Sequence, residues 1–402
     1  MNRADFPALN RPVRGRHFAY LDTAASAQKP QAVIDAMAEV MQTYYANIHR
    51  GLYDSSQRST AAFEAARAKA QGFIRAGSPR EIVFTRNATE AINLVGQSWG
   101  RAFLREGDEI ILTGMEHHAN IVPWHMLREQ IGVVLKVIPV LEDGTLDLAA
   151  YEKLLTHRTK LVAAVHVSNA LGTVNNIKKI IEIGKDFYPS LKVLVDGSQA
   201  AVHKDIHIRE LGCDFYAFTG HKIYGPTGIG VLWGREELLN EMPPYQGGGE
   251  MIEKVTFESI TYKPAPARFE AGTPAIVEAV GLGAAIDYLR QTDMSVLEAR
   301  ERELLAYARE ALAEIGGLTF YGTGPEKAGI LSFTADWGEP SDIGMILDQC
   351  GVAVRTGHHC CQPLMRRFGI DATVRASFGL YTEERDIDAL AAGLHKAKSM
   401  LG

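Results

Sequence analysis

Short apolar runs alternate with longer amphipathic stretches through the first half of the chain. Segments 109–112, 133–139, 161–167, 192–195 and 215–218 are brief and rich in β-branched or aromatic residues, the pattern of buried strands. Segment 61–76 is Ala-rich, carries Phe63 and Phe73 among charged residues, and stops near Gly77-Ser78-Pro79, so it predicts a helix. A second helix is expected over 89–104 with Thr89 as its N-cap, and others over 148–155 and 177–187. Such alternation predicts an α/β fold with a mostly parallel central sheet flanked by helices on both faces.

The pattern changes after residue 240. Pro243-Pro244-Tyr245-Gln246-Gly247-Gly248-Gly249 and Lys263-Pro264-Ala265-Pro266 read as loops. Helical patterns return over 277–289 and 295–315. A smaller α+β region follows, with strands at 330–333 and 352–354, a helix at 343–349 and a closing helix from Glu384. The expected organisation is an N-terminal segment (1–20) packing with the small domain, a large domain (21–285) and a small C-terminal domain (286–402).

A chain of 402 residues can bury one large core and one smaller one. Its net charge of −6 supplies no basic field for nucleic acid or an anionic membrane. The first residues have no apolar signal core, and no run is long enough to span a bilayer. The 4 cysteines are Cys213, Cys350, Cys360 and Cys361; two are adjacent, a poor framework for disulfides, so a reducing cytoplasm and a nucleophilic or redox cysteine are expected.

In parallel α/β sheets, ligands sit beyond the carboxyl ends of the strands. There the sequence places Glu116-His117-His118, then Ser168-Asn169, then Asp196-Gly197-Ser198-Gln199, then Thr219-Gly220-His221-Lys222. Pyridoxal 5'-phosphate needs such a set: a Schiff-base lysine (Lys222), a carboxylate for the ring nitrogen (Asp196), and a flat partner for the ring (His117). Its phosphate needs hydroxyls and a helix N-terminus, which Asn87-Ala88-Thr89, Thr219 and His221 offer. Late in the chain, Arg355-Thr356-Gly357-His358-His359-Cys360-Cys361-Gln362-Pro363 sets a thiol among imidazoles and a guanidinium, neighbours that stabilise a thiolate. Four consecutive ligands cannot wrap one tetrahedral zinc, so no metal site is expected. The glycines at 225–230 lack the ending of a phosphate-binding P-loop and read as a turn between strands.

Over essentially its full length the chain resembles the group II cysteine desulfurases of the sulfur-mobilisation type, relatives of selenocysteine lyases within the class V aminotransferase-like enzymes. The resemblance is carried by Tyr20-Leu21-Asp22-Thr23-Ala24-Ala25, Asn87-Ala88-Thr89-Glu90-Ala91-Ile92-Asn93, Glu116-His117-His118-Ala119-Asn120, Val167-Ser168-Asn169, Val195-Asp196-Gly197-Ser198-Gln199, Gly220-His221-Lys222, Phe269-Glu270-Ala271-Gly272-Thr273-Pro274 and Arg355-Thr356-Gly357-His358-His359-Cys360. It implies a fold-type I pyridoxal-phosphate enzyme, usually a homodimer. Lys222 would bind the cofactor covalently, Asp196 would pair with the ring nitrogen and Gln199 would approach the phenolic oxygen. His117 would stack on the ring and serve acid–base steps. Ala88, Thr89, Thr219 and His221 would hold the phosphate, with Thr273 arriving from the second subunit. Arg375, assisted by Asn169 and Arg355, would clamp the substrate carboxylate. The implied reaction takes sulfur from L-cysteine, leaving L-alanine and a persulfide on Cys360 for a small sulfur-acceptor protein and iron–sulfur cluster assembly. His358, His359 and Arg355 would favour the Cys360 thiolate. A selenocysteine lyase, or an aminotransferase or kynureninase-like enzyme, is the alternative. Cys361 departs from the family pattern, which has alanine there.

Overall fold

The structure, a computed structural model, describes residues 2–402. Its larger sheet has seven strands: β1 (Ile82–Thr85), β2 (Glu109–Thr113), β3 (Val134–Ile138), β4 (Thr159–Val165), β5 (Lys192–Asp196), β6 (Phe215–Thr219) and β7 (Gly230–Gly234). They lie in the order β1-β7-β6-β5-β4-β2-β3, and only β7 runs antiparallel to its neighbours. Strands β4 to β6 are apolar on both faces because helices cover both, as parallel sheets require. One core lies on the face carrying Val162, Val193, Tyr216 and Phe218, the other on the face carrying Ile110, Leu161, Leu194 and Phe215.

The helix expected over 61–76 runs over Asp54–Phe73, starting seven residues earlier and ending three residues sooner than the apolar pattern indicated. Its first two turns are polar and are held by side chains instead: Ser56 Oγ donates to the Asn47 carbonyl (2.7 Å) and Ser59 Oγ to that of Tyr44 (2.9 Å). The expected 89–104 helix begins at Ala88, with Asn87 as N-cap accepting from the Glu90 N–H (2.9 Å), and loosens to a π-turn at Gly96–Gly100. Thr89 is thereby placed in the first turn rather than at the cap.

A second, four-stranded antiparallel sheet comprises β8 (Leu318–Tyr321), β9 (Ile330–Ala335), β10 (Arg355–Gly357) and β11 (Thr373–Ser377), in the order β8-β9-β11-β10. Helices Met294–Ala313, Pro340–Gln349 and Glu384–Leu401 build its core with it, joined by Ala19 and Leu21. Ala19–Tyr20 pairs with Val352–Ala353, and Arg3 Nη1 meets buried Asp386 at 2.9 Å. Phe6 and Leu9 instead enter the larger core. The helix Ile276–Leu289 crosses position 285 and puts Leu282, Ile286 and Leu289 into that larger core. Its Gly283 permits close contact with Asp54–Phe73: a Cβ there would stand 3.2 Å from that of Ala66.

Candidate active site

The carboxyl ends of five parallel strands meet at a cavity of about 200 Å³. Ala88 and Thr89 reach it from the end of β1, His117 from β2, Asn169 from β4, Asp196 and Gln199 from β5, and Thr219, His221 and Lys222 from β6. Arg355, on β10 of the smaller sheet, closes it from the other side. Close backbone approach shapes the floor. A Cβ on Gly197 would stand 2.1 Å from the Tyr216 ring, and one on Gly230 would stand 2.5 Å from the Asn87 carbonyl carbon.

Burial governs the charges here. It lowers the Lys222 amine below the ordinary lysine range, and Asp196 opposes the shift without cancelling it. Burial, then Lys222, bring His117 down to about 4. Its Nδ1 accepts the Ala119 N–H at 3.0 Å, so the ring is neutral with its other nitrogen protonated. Burial and Lys222 likewise bring His221 to about 4, with Ser26 Oγ 3.3 Å from its Nδ1. Asp196 is buried and Oδ1 accepts the Ser198 N–H at 2.9 Å.

Two buried cavity-lining atoms, Thr219 Oγ1 and Gln199 Oε1, have no hydrogen-bond partner among the described residues. Leaving such a group unpaired costs on the order of 1–3 kcal/mol, so a polar ligand here would relieve both. The N–H groups opening Ala88–Val95 add an anion site. With Lys222 and Asp196 beside them, the Thr219 hydroxyl and the helix N–H groups as donors and Gln199 Oε1 as an acceptor fit pyridoxal phosphate.

Cys360 lies on a tight turn in which His359 (φ 51°) and Cys360 (φ 58°) are both left-handed. Asn169 Nδ2 donates to the His359 carbonyl (2.8 Å), and the His118 N–H to that of Cys360 (2.8 Å). Arg355 Nη2 is 3.4 Å from Cys360 Sγ. The two histidines do not flank the sulfur as the sequence suggested. His358 Nδ1 accepts the Cys360 backbone N–H (3.0 Å), while buried His359 points its Nε2 at Thr373 Oγ1 (2.8 Å) and is pushed to about 2 by burial and by Arg375. Cys361 is fully buried, and burial pushes its thiol up to about 12.

Arg375, fully buried on β11, donates to the Asn169 carbonyl (2.9 Å) and to Asp22 Oδ1 (2.9 Å), leaving Nε without a partner. Nothing in the local sequence of Asp22 signals an arginine more than 350 residues away. Glu116, whose burial the sequence does not signal, is 1% exposed and takes hydrogen bonds from Thr113, Asn120 and the Val165 N–H, and burial raises it to about 8. Thr273 is not in the Lys222 cavity; it lines a separate one with Glu90, Tyr245 and Gln246.

A lysine, a buried carboxylate and a phosphate-ready helix at the carboxyl edge of such a sheet define a fold-type I pyridoxal-phosphate enzyme. Residues 19–390 match the aminotransferase class-V family. A cysteine desulfurase of Dickeya dadantii is 49% identical over 401 residues, which is 100% of this chain and 97% of the relative. One of Synechococcus elongatus is 48% identical over 99% of this chain, which spans 63% of that longer protein. Among solved structures, the cysteine desulfurase CsdA of Escherichia coli, in its S-sulfonic acid form, superposes with a TM-score of 0.92 at 38% identity, covering 100% of this chain and 98% of that one. The chain belongs to the class-V aminotransferase family and, within it, to the cysteine desulfurases.

Proposed function

We propose that this protein is a pyridoxal-phosphate-dependent cysteine desulfurase that moves the sulfur of L-cysteine onto Cys360. One observation carries the assignment: Arg355 lines the Lys222 cavity and also contacts Cys360 Sγ, so a single side chain links the thiol to the cofactor site. An aminotransferase has no use for a thiol there.

The roles follow from position and charge. Arg355 lines the cavity and Arg375 lies buried outside its lining, next to Asn169; the clamp on the substrate carboxylate that the resemblance implies would need Arg375 to turn its guanidinium toward the cavity. Bound pyridoxal phosphate supplies the electron sink that makes the substrate's α-proton acidic. Lys222, inclined to the neutral amine, takes that proton and returns it. His117, neutral with one protonated nitrogen, exchanges protons on the ring side. Cys360 thiolate attacks the substrate sulfur. The S–S bond forms as the C–S bond breaks, the electron pair stays on carbon, and protonation there yields the methyl group of alanine. The balance is one cysteine and one thiol giving one alanine and one persulfide. Cys361 is held as an unreactive thiol by burial, which supports Cys360 as the nucleophile.

Several finer points belong to the same reading. The enzyme works as a homodimer in which Thr273 completes the partner's phosphate site. Its persulfide passes to a small acceptor protein that feeds iron–sulfur cluster assembly in the cytoplasm. No helix of the described residues is long and apolar enough to cross a membrane. The N-terminal segment divides between the two domains, with Arg3 and Ala19 against the small domain and Phe6 and Leu9 in the larger core, and the small domain is drawn after Leu289 instead of at 286 because the helix Ile276–Leu289 packs into the larger core.

The test is alanine release from L-cysteine by cofactor-loaded protein with a thiol reductant, wild type beside Cys360→Ala. Alanine from the wild type alone supports the assignment. Equal release by both moves the sulfur step to another group, and turnover on selenocysteine alone makes the enzyme a selenocysteine lyase.

A further inference from the structure

Cys361 stands where the family pattern has alanine, and its surroundings give it a task of its own. Its Sγ lies 3.1 Å from Asn169 Oδ1, and the side chain is fully buried beside Met115, Ala170 and Leu364. At this contact the thiol donates, because the amide oxygen has no proton to give. The groups facing it keep the proton on sulfur: burial acts first, and nearby Glu116 and Cys360 act in the same direction against Asn169 and Arg375. The amide of Asn169 is therefore held at both ends. Its oxygen accepts a hydrogen bond from the Cys361 thiol, and its NH₂ group donates to the His359 carbonyl at 2.8 Å. That carbonyl belongs to the first of the two left-handed residues that present Cys360. The backbone carbonyl of Asn169 simultaneously accepts from Arg375 at 2.9 Å.

We propose that Cys361 is a positioning residue for Cys360: its thiol fixes the orientation of the Asn169 amide, which fastens the left-handed turn carrying the nucleophile. This rests on the reading of Cys360 as the sulfur-accepting group. Without the thiol, the Asn169 amide can rotate and present its oxygen to the His359 carbonyl, where two acceptors repel. The turn then drifts, and Cys360 Sγ moves away from Arg355.

The experiment uses cofactor-loaded wild type, Cys361→Ala and Cys361→Ser. Each is treated with iodoacetamide at fixed pH, alkylation of Cys360 and Cys361 is followed by peptide mass mapping, and kcat and KM for L-cysteine are measured alongside. Serine keeps a donor of similar size; alanine does not. Since a thiol is a weak donor, the expected loss is small: Cys361→Ala alkylates Cys360 about two- to five-fold more slowly and loses kcat by a similar factor, with KM little changed. Cys361→Ser restores both to near wild type. Alanine and wild type behaving alike would overturn the proposal. So would serine as impaired as alanine, which would make the effect one of packing alone, and so would Cys361 reacting before Cys360 in the wild type. The alkylation arm reads the turn even if the protein releases no alanine, so failure of the desulfurase reading is seen separately.

Discussion

Arg375 Nη2 stands 2.9 Å from Asp22 Oδ1, with the arginine side chain wholly buried and the aspartate 24% exposed. The pair joins β11 to the segment after Tyr20 and leaves Nε as the one guanidinium nitrogen without a partner. Removing the arginine strands Asp22 and the Asn169 carbonyl together. Arg375→Ala is expected to cost about 3–5 kcal/mol of unfolding free energy, read by chemical denaturation of the apoprotein. Arg375→Lys keeps the charge but not the planar fork, and is expected to raise KM for cysteine by roughly tenfold with a smaller stability loss.

Lys222 should separate stability from function. Burial disfavours its ammonium form, so Lys222→Met relieves a cost of folding. The variant is expected to have a thermal midpoint at or above that of the wild-type apoprotein, while alanine release falls by at least about 100-fold. A lower midpoint together with retained turnover would assign the covalent role to another amine.

Glu116 gives a pH signature. Its folded-state value of about 8 lies above the ordinary value of 4.5, so the folded protein holds a proton there that the unfolded chain has lost. The stability from that group is full below about 4.5 and is lost as pH rises through about 8. His117 and His221, lowered to about 4, act oppositely: their contribution is present above 6.5 and is lost as pH falls toward 4. Lys327, lowered to about 7, adds stability as pH rises above that point. The glutamate is therefore best read as a difference. Between pH 6.5 and 8, wild-type apoprotein should lose stability relative to Glu116→Gln, whatever their absolute values, by urea denaturation at a series of pH values.

His359 sits directly before the nucleophile yet faces Thr373, and is too strongly held neutral to exchange protons near pH 7. His359→Asn tolerates the left-handed backbone and can still meet Thr373. It should keep kcat within about threefold and leave the pH–rate profile unmoved, whereas loss of a true acid–base group costs about 10²–10⁴. A larger fall with a shifted profile would return His359 to the chemistry.

The parallel core of the fold was legible because its strands are apolar on both faces; the five runs from 109 to 218 each became a strand, with ends displaced by a residue or two. Strands β1, β7, β8, β10 and β11 were missed. β1 and β8 are short, β7 is bounded by glycines that read as turn, β11 alternates its apolar residues with Thr, Arg and Ser, and Arg355–Gly357 is an edge strand of polar and small residues. At the site, residues directly following strands could be placed in advance, because strand ends share one edge. The Arg375–Asp22 pair and the Asn169–Cys361 contact could not, since each joins segments nearly 200 or more positions apart. The two histidines before Cys360 misled for a local reason: the left-handed turn swings one ring to Thr373 and the other to the backbone, which adjacency in sequence does not reveal.

The turn that bears Cys360 is threaded from the smaller sheet, yet its two carbonyls are pinned by Asn169 and His118, which extend from the larger one. Mechanically, the nucleophile is moored to the quay opposite the vessel that carries it. Slight sliding of one sheet against the other then leaves sulfur and cofactor wall in step. To carry its sulfur outward, the turn has to let go of Asn169 and His118, the contact of the Cys361 thiol with Asn169 included.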